Sequence, residues 1–310
     1  MSVDVIGLGE PLLEFNQDPA KAEPTYRLGH GGDTSNAMIA VARQGARAGY
    51  VTALGADAFG DAFMALWASE GVDASTVRRD RTAHTGIYFV SHGPKGHEFT
   101  YMRAGSAASR LAPEDLPLEA IAAAKYLHVS GISQAISALA CDSAFVAMQH
   151  AKANGVKVSY DTNLRLKLWP LERARAIIHA AVGLCDVLLP SFEDAEALTR
   201  IQEPDGIVDF YLGLGVPLVA LKLGPEGALV ATPERRERVA GLRVETVDAT
   251  GAGDTFDGAF LARLSAGDDP FAAARYANVA AALSTQGYGA VAPIPRREQV
   301  LARLAELERS

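Results

Sequence analysis

Short apolar runs alternate along this chain with longer stretches whose apolar residues recur every three or four positions. Val3 to Leu8 is a run of the first kind and predicts a buried strand. Tyr26 to Leu28 is extended, and a glycine-rich turn then opens a small-residue helix through Ala40 and Ala42. Tyr50 to Leu54 predicts a strand, followed by a helix that ends near Gly71. Thr85 to Val90 and Glu98 to Arg103 alternate around Gly93-Pro94-Lys95-Gly96, which predicts a β-hairpin. From Tyr126 the pattern turns regular. Strands are expected at 126–129, 156–160, 187–189 and 217–222, with helices at 138–154, 171–183, 193–200 and 208–213. Leu242, Val244, Thr246 and Val247 read as strand-like, and helical spacing resumes at Phe256, Ala259, Phe260 and Leu264.

Repeated strand–helix units imply an α/β fold with a mostly parallel sheet and helices on both faces. The segments near 10–30 and 84–106 stand outside that rhythm and read together as a small β lid on a single domain spanning 1–310. In such a sheet, ligands gather at the carboxyl ends of the strands. The residues that follow the expected strands are polar or glycine-rich: Ser130-Gly131, Asp161-Thr162-Asn163-Leu164-Arg165, Pro190-Ser191, and Leu223-Gly224-Pro225-Glu226-Gly227.

The chemistry concentrates at Asp248-Ala-Thr250-Gly251-Ala252-Gly253-Asp254. A loop of small residues at a helix N-terminus aims free amides and the positive dipole end at one spot, which attracts an anion. Asp254 would repel a bound phosphate there, unless it takes a proton from a group attacking that phosphate. Phosphoryl transfer needs both parts. The plainer alternative is an early-helix acid beside a glycine turn. Near the other end, Gly31-Gly32-Asp33-Thr34-Ser35-Asn36 lets a ligand approach backbone and sets Asp33 and Asn36 at a helix start. Asp33 or Thr34 as a simple helix cap is the alternative. The hairpin carries Tyr88, Tyr101 and Arg103, and Tyr101 and Arg103, two apart, share a face. This suits an oxygen-rich anionic molecule, or else a solvated cation over a ring.

Composition narrows the class. The 310 residues are 49% hydrophobic and 21% charged, with a net charge of −8, as in an ordinary globule and unlike a general nucleic-acid binder or an anionic-membrane surface. Cys141 and Cys185 are expected as buried thiols. No basic leader opens the chain and no run of 18 uninterrupted apolar residues occurs, so a cytoplasmic enzyme is the expectation. Gly7-x-Gly9 lacks the third glycine of a dinucleotide fingerprint.

The string Asp-Ala-Thr-Gly-Ala-Gly-Asp-Thr-Phe resembles the C-terminal signature of the PfkB, or ribokinase-like, carbohydrate kinases. Gly-Gly-Asp-x-x-Asn-x-Ala resembles the N-terminal one. The resemblance implies a ribokinase-like fold, with Asp254 as catalytic base and Gly251, Ala252 and Gly253 as the anion hole. It places Gly32, Asp33 and Asn36 on sugar hydroxyls. It also implies ATP and magnesium, leaves a monovalent cation open, and brings Asn163, Ser191, Gly224, Gly227 and Asn278 to the nucleotide. Where the family carries Asn-x-x-Glu, this chain has Ser191-Phe-Glu193-Asp194, and Asp194 is expected to order a magnesium-bound water.

Within the family, Tyr101-Met-Arg103-Ala-Gly-Ser-Ala-Ala-Ser109 and Asp161-Thr-Asn163-Leu-Arg165-Leu-Lys-Leu-Trp169 resemble strings of 2-keto-3-deoxygluconate kinases. Arg103 and Arg165 would then pair with the sugar-acid carboxylate, with Tyr88 and Tyr101 on the carbon chain; the alternative for Arg165 is an ATP phosphate. A kinase for a neutral sugar, a nucleoside kinase and a non-catalytic sugar- or nucleotide-binding regulator are the alternatives. An exposed edge of the lid sheet invites a second copy.

Overall fold

The computed structural model describes residues 3–18, 23–93 and 96–309. From the N-terminus, β1 (Val5–Leu8) leads through β2 (Leu12–Gln17) and β3 (Tyr26–Gly31) into helix α1 (Asp33–Arg43). β4 (Ala48–Val51) and β5 (Ala53–Gly55) precede α2 (Ala58–Glu70), β6 (Arg78–Asp80), β7 (Ile87–Gly93) and β8 (Gly96–Met102). The short helix α3 (Leu118–Ala122) ends the excursion. Then follow β9 (Tyr126–Ser130), α4 (Gly131–Ala135), α5 (Ala138–Ala153), β10 (Lys157–Asp161), α6 (Leu171–Val182), β11 (Val187–Leu188), α7 (Phe192–Thr199), α8 (Pro204–Gly213) and β12 (Leu218–Lys222). The chain closes with β13 (Gly227–Ala231), β14 (Arg236–Ala240), α9 (Ala252–Ser265), α10 (Pro270–Ser284) and α11 (Arg297–Leu307).

The large sheet runs β14-β13-β12-β11-β10-β9-β1-β4. From β4 to β12 every neighbour is parallel, and only β13 and β14 turn back antiparallel. Both faces are covered: α5, α6 and α8 supply one apolar layer, and α1, α2, α9 and α10 the other. The chain order reverses between β1 and β9, where a parallel sheet opens its crevice. The smaller sheet runs β3-β2-β7-β8, with β2 and β7 parallel and the other pairs antiparallel. It joins the two excursions seen in the sequence pattern. Residues 19–22, and Pro94 and Lys95 of the hairpin turn, lie outside the described residues.

Two expectations change. The run 50–54 divides at Thr52 between two sheets, because β5 pairs with β6 instead of continuing β4. Leu242 to Val247 is no strand: it is largely exposed, and Val247 N–H bonds to Thr285 O instead of a ladder partner. The β13–β14 hairpin and α11 went unread, the first because Gly-Ala-Leu-Val-Ala carries little β-branched character. Cys141 and Cys185 are buried free thiols. No helix among the described residues is long and apolar enough to cross a membrane.

Candidate active site

Helix α1 begins at Asp33 with Gly32 as its cap residue and no side-chain cap bond, so neither Asp33 nor Thr34 serves as an N-cap. Gly32 is at φ 109°, and a Cβ there would stand 2.6 Å from Glu10 O. The first turn then buries three polar side chains in sequence. Thr34 Oγ1 hydrogen-bonds Tyr50 OH at 2.8 Å, and Ser35 Oγ accepts from Trp67 Nε1 at 3.0 Å. These two bonds fix the roll of the helix and leave Asn36 facing α9. The helices meet at Gly258, where a Cβ would lie 2.2 Å from Ala37 O and 2.6 Å from Ala40 Cβ. Asp254 lies one turn earlier on that same face. At this approach, Asn36 Nδ2 donates to Asp254 Oδ2 at 2.8 Å.

Four carboxylates converge on this floor. Asp33 accepts from Asn163 Nδ2 at 2.9 Å. Asn163 holds a left-handed backbone at φ 31°, which asparagine tolerates, and its N–H donates to Asp161 Oδ1. Lys222 ends β12 and donates to Asp257 Oδ1 and Oδ2 at 3.0 and 3.1 Å, and pairs with Asp161 Oδ1 at 3.2 Å. Burial pushes Asp254 up to about 7, helped by the neighbouring Asp33 charge and opposed by the Asn36 bond. Burial raises Asp33 as well. For Lys222, burial pulls down, but Asp161 and Asp257 outweigh it and hold the ammonium well above the ordinary lysine range. Two buried acceptors here, Asp33 Oδ1 and Asn36 Oδ1, have no protein partner. Such acceptors suit donor groups such as hydroxyls on a ligand.

Above the floor, α9 starts at Ala252 with Gly251 as its cap at φ 76°. No side chain caps it; Ala252 N–H already bonds Ala249 O at 3.2 Å, and the exposed Gly253 follows directly beside Asp254 with its amide at the helix start. The Asp248 carboxylate braces this turn, accepting from Thr250 N–H and from Gly289 N–H at 2.9 Å each. Gly224 and Gly289 also sit at positive φ, with nothing within 4 Å of a built Cβ.

The smaller sheet forms a wall with a different character. Tyr88 and Tyr101 stack at 5.6 Å, and the Arg103 guanidinium lies 5.5 Å from the Tyr101 ring centre. Tyr88 is 8% exposed and donates to Glu14, whereas Tyr101 is 43% exposed. Arg103 gives both Nε, at 2.7 Å, and Nη2 to Glu10, which also accepts from Ser106. The Glu10 side chain is fully buried.

Several expected residues have different partners. Arg103 is not a free clamp, because two of its donors already hold a buried carboxylate. Arg165 is exposed at the rim, with Nη1 on Leu164 O. Asn163, expected at the nucleotide, bonds Asp33. Asn278 donates to Val239 O and Ala240 O and so ties α10 to β14. Gly227 is demanded by packing, since a Cβ there would stand 2.1 Å from Val239 O. Ser191 caps α7 by accepting from Asp194 N–H. Asp194, expected at a metal-bound water, accepts from Leu164 N–H at 3.0 Å and anchors the loop that carries Asn163 and Arg165. Among the described residues, no group of three or more His, Cys, Asp or Glu is arranged to hold a metal ion.

Lys222, Asp161, Asp257, Glu10 and Glu14 were not assigned from the sequence. The signals were present. Lys222 ends an otherwise apolar strand, Asp257 interrupts an apolar helix face, and Glu10 follows the first buried strand directly.

Known proteins extend the picture. Residues 1–297 match the pfkB family carbohydrate kinases. A 2-dehydro-3-deoxygluconokinase of Bacillus subtilis is 34% identical over 98% of this chain and 96% of its own length. Fructokinase-2 of Solanum habrochaites is 33% identical over 97% of this chain and 95% of its own. The fructokinase of Vibrio cholerae O395, in its fructose-, ADP- and calcium-bound form, superposes with a TM-score of 0.86 at 31% identity, over 97% of this chain and 99% of that one. The chain belongs to the pfkB family of carbohydrate kinases and is an ATP-dependent phosphotransferase with an alcohol acceptor.

Proposed function

From that membership we propose that the chain phosphorylates the terminal hydroxyl of 2-keto-3-deoxygluconate, the acid also named 2-dehydro-3-deoxygluconate. The observation that carries the catalytic half is the juxtaposition of Asp254, held by Asn36, with the uncapped amides of α9. Asp254 takes the proton from the attacking hydroxyl, and Gly251, Ala252 and Gly253 hold the phosphoryl group in transit. Asp33 and Asn36 take sugar hydroxyls on their free acceptor oxygens. ATP lies with its phosphates toward α9 and its nucleoside over Gly224 and the 287–290 loop. Magnesium, carried on the phosphates and steadied through water by Asp194, would screen their charge from the four carboxylates of the floor. The smaller sheet acts as a lid that excludes water and so prevents loss of ATP to hydrolysis.

Arg165 and the remaining Nη1 edge of Arg103 support the acid half of the reading. The Glu10–Arg103 pairing favours a second reading, a neutral sugar such as fructose. A guanidinium already neutralised by a buried carboxylate attracts a further anion less. ADP release measured with 2-keto-3-deoxygluconate, fructose, ribose and adenosine, each with ATP and magnesium, separates the readings. At least tenfold higher kcat/KM for the acid is expected. Equal or better turnover of fructose would reassign both arginines, and no ADP release with any acceptor would favour a binding regulator.

A further inference from the structure

We propose that Lys222 is a catalytic residue of this kinase, whose ammonium contacts the phosphoryl group in transit and adds a full positive charge to the α9 amides. The inference rests on the kinase reading of those amides. Lys222 reaches the floor from the end of β12, and its side chain is 12% exposed, so it remains open toward the site. An ammonium has three N–H donors. Asp257 presents both oxygens to one side of it and Asp161 takes a second direction. A phosphoryl oxygen would compete with Asp161, whose oxygen lies at the longest of the three distances, 3.2 Å. A Cβ built on Gly253 would have Lys222 Nζ at 3.6 Å as the one heavy atom within 4 Å. The amide-bearing glycine and the ammonium therefore border the same space, and no side chain at 253 divides them.

The electrostatics require such a charge. A helix N-terminus offers about half an elementary charge. Against it stand Asp33, Asp161, Asp254 and Asp257, and transfer brings further negative charge between them. The three partners of the ammonium network also come from three elements, β10, β12 and α9. The group that meets the phosphate is thus locked to the strand ends on the sugar and nucleotide sides.

A structural role alone would mean that Lys222 only neutralises Asp257, which is 1% exposed. The double variant Lys222→Met/Asp257→Asn separates the two roles, because it leaves Asp161 as the one partner carboxylate without its cation, where Lys222→Met alone would leave Asp257 as well. We expect its melting temperature to lie near the parent's while kcat, for whichever sugar the parent phosphorylates best, falls at least a hundredfold, with the KM for ATP changed less than threefold. Recovery of kcat to within fivefold of the parent would overturn the proposal. A second measurement does not depend on sugar turnover. Magnesium–ADP binding with and without aluminium fluoride is measured by calorimetry. The fluoride complex should tighten binding to the parent and lose that added affinity, at least tenfold, in the double variant. Equal tightening in both proteins would also overturn the proposal, and a parent inactive on every sugar would fail the kinase reading separately.

Discussion

The floor of the site and the wall built by the smaller sheet handle charge in opposite ways. On the floor, Asp33, Asp161, Asp254 and Asp257 crowd around a single hydrogen-bonded lysine, and burial lifts Asp254 to about 7. Charge there is left uncompensated, and protonation can follow what binds. On the wall each charge already has its opposite or its donor: Arg103 with Glu10, and Glu14 with Tyr88. The floor is arranged to change charge during a reaction, and the wall to hold a shape. This difference predicts that floor substitutions act on kcat and its pH dependence, and wall substitutions on KM and substrate choice.

The sharpest test of the floor is Asp254→Asn. Loss of a positioned general base should lower kcat by about a thousandfold, in a protein whose far-ultraviolet circular dichroism is unchanged. Turnover at the parent rate would remove the base assignment. The sign of the pH effect follows from the raised folded value. The carboxylate form is needed, so kcat/KM of the free enzyme should climb as pH rises through about 7. The same raised value opposes folding at pH values above the unfolded carboxyl range, so stability should decline from about pH 4 toward 7. Asp254→Asn should flatten that decline. Asp33→Asn removes the nearest like charge and should move the kcat/KM limb to lower pH. A limb that stays in place would show the two carboxylates to be independent.

Gly258→Val attacks the floor from behind. The new side chain must push α1 away from α9, because its Cβ has no room beside Ala37 O. Overpacking of this kind costs about 1–3 kcal/mol of stability, visible as a lower melting temperature. If the Asn36–Asp254 bond depends on this close approach, kcat should fall more than tenfold at temperatures where the variant is still folded. A stability loss with full kcat would show that the bond survives elsewhere in the packing.

The same contrast explains what could be read from the sequence. Gly251 to Asp254 and Gly31 to Asn36 are contiguous strings, and each fixes a turn and a helix start by its own residues. The parallel order of β9 to β12 was legible because each buried strand and covering helix carries its own period. The wall was legible as two strand-like excursions, but its charge pairing was not, since Glu10 and Arg103 are 93 residues apart and neither position announces the other. Lys222, Asp161 and Asp257 meet from three elements, so their pairing exists only in three dimensions. Asn278 shows the converse ambiguity: a polar residue on an alanine-rich helix can serve a ligand or a neighbouring strand, and its Nδ2 bonds carbonyls of β14, itself unread.

The smallest expected effect tests the wall against its own rim. Arg165 is exposed and bonds only a neighbouring carbonyl, whereas Arg103 is neutralised by Glu10 and packed over Tyr101. If a sugar-acid carboxylate is bound, Arg165 should contribute more of its recognition, even though Arg103 is the more fully bonded of the two. Arg165→Ala should raise KM for 2-keto-3-deoxygluconate about tenfold, the scale of one charge-assisted hydrogen bond at 1.5–3 kcal/mol reduced by solvent at the rim, and leave KM for fructose unchanged. Arg103→Ala should raise both KM values together, because it frees buried Glu10 and loosens the wall itself. Glu10→Gln then isolates the cause. With the carboxylate neutral, Arg103 regains its charge toward the pocket, and KM for the acid should fall two- to threefold relative to fructose. A fall for both substrates alike would mean that Glu10 shapes the wall and leaves the choice of substrate to the rim.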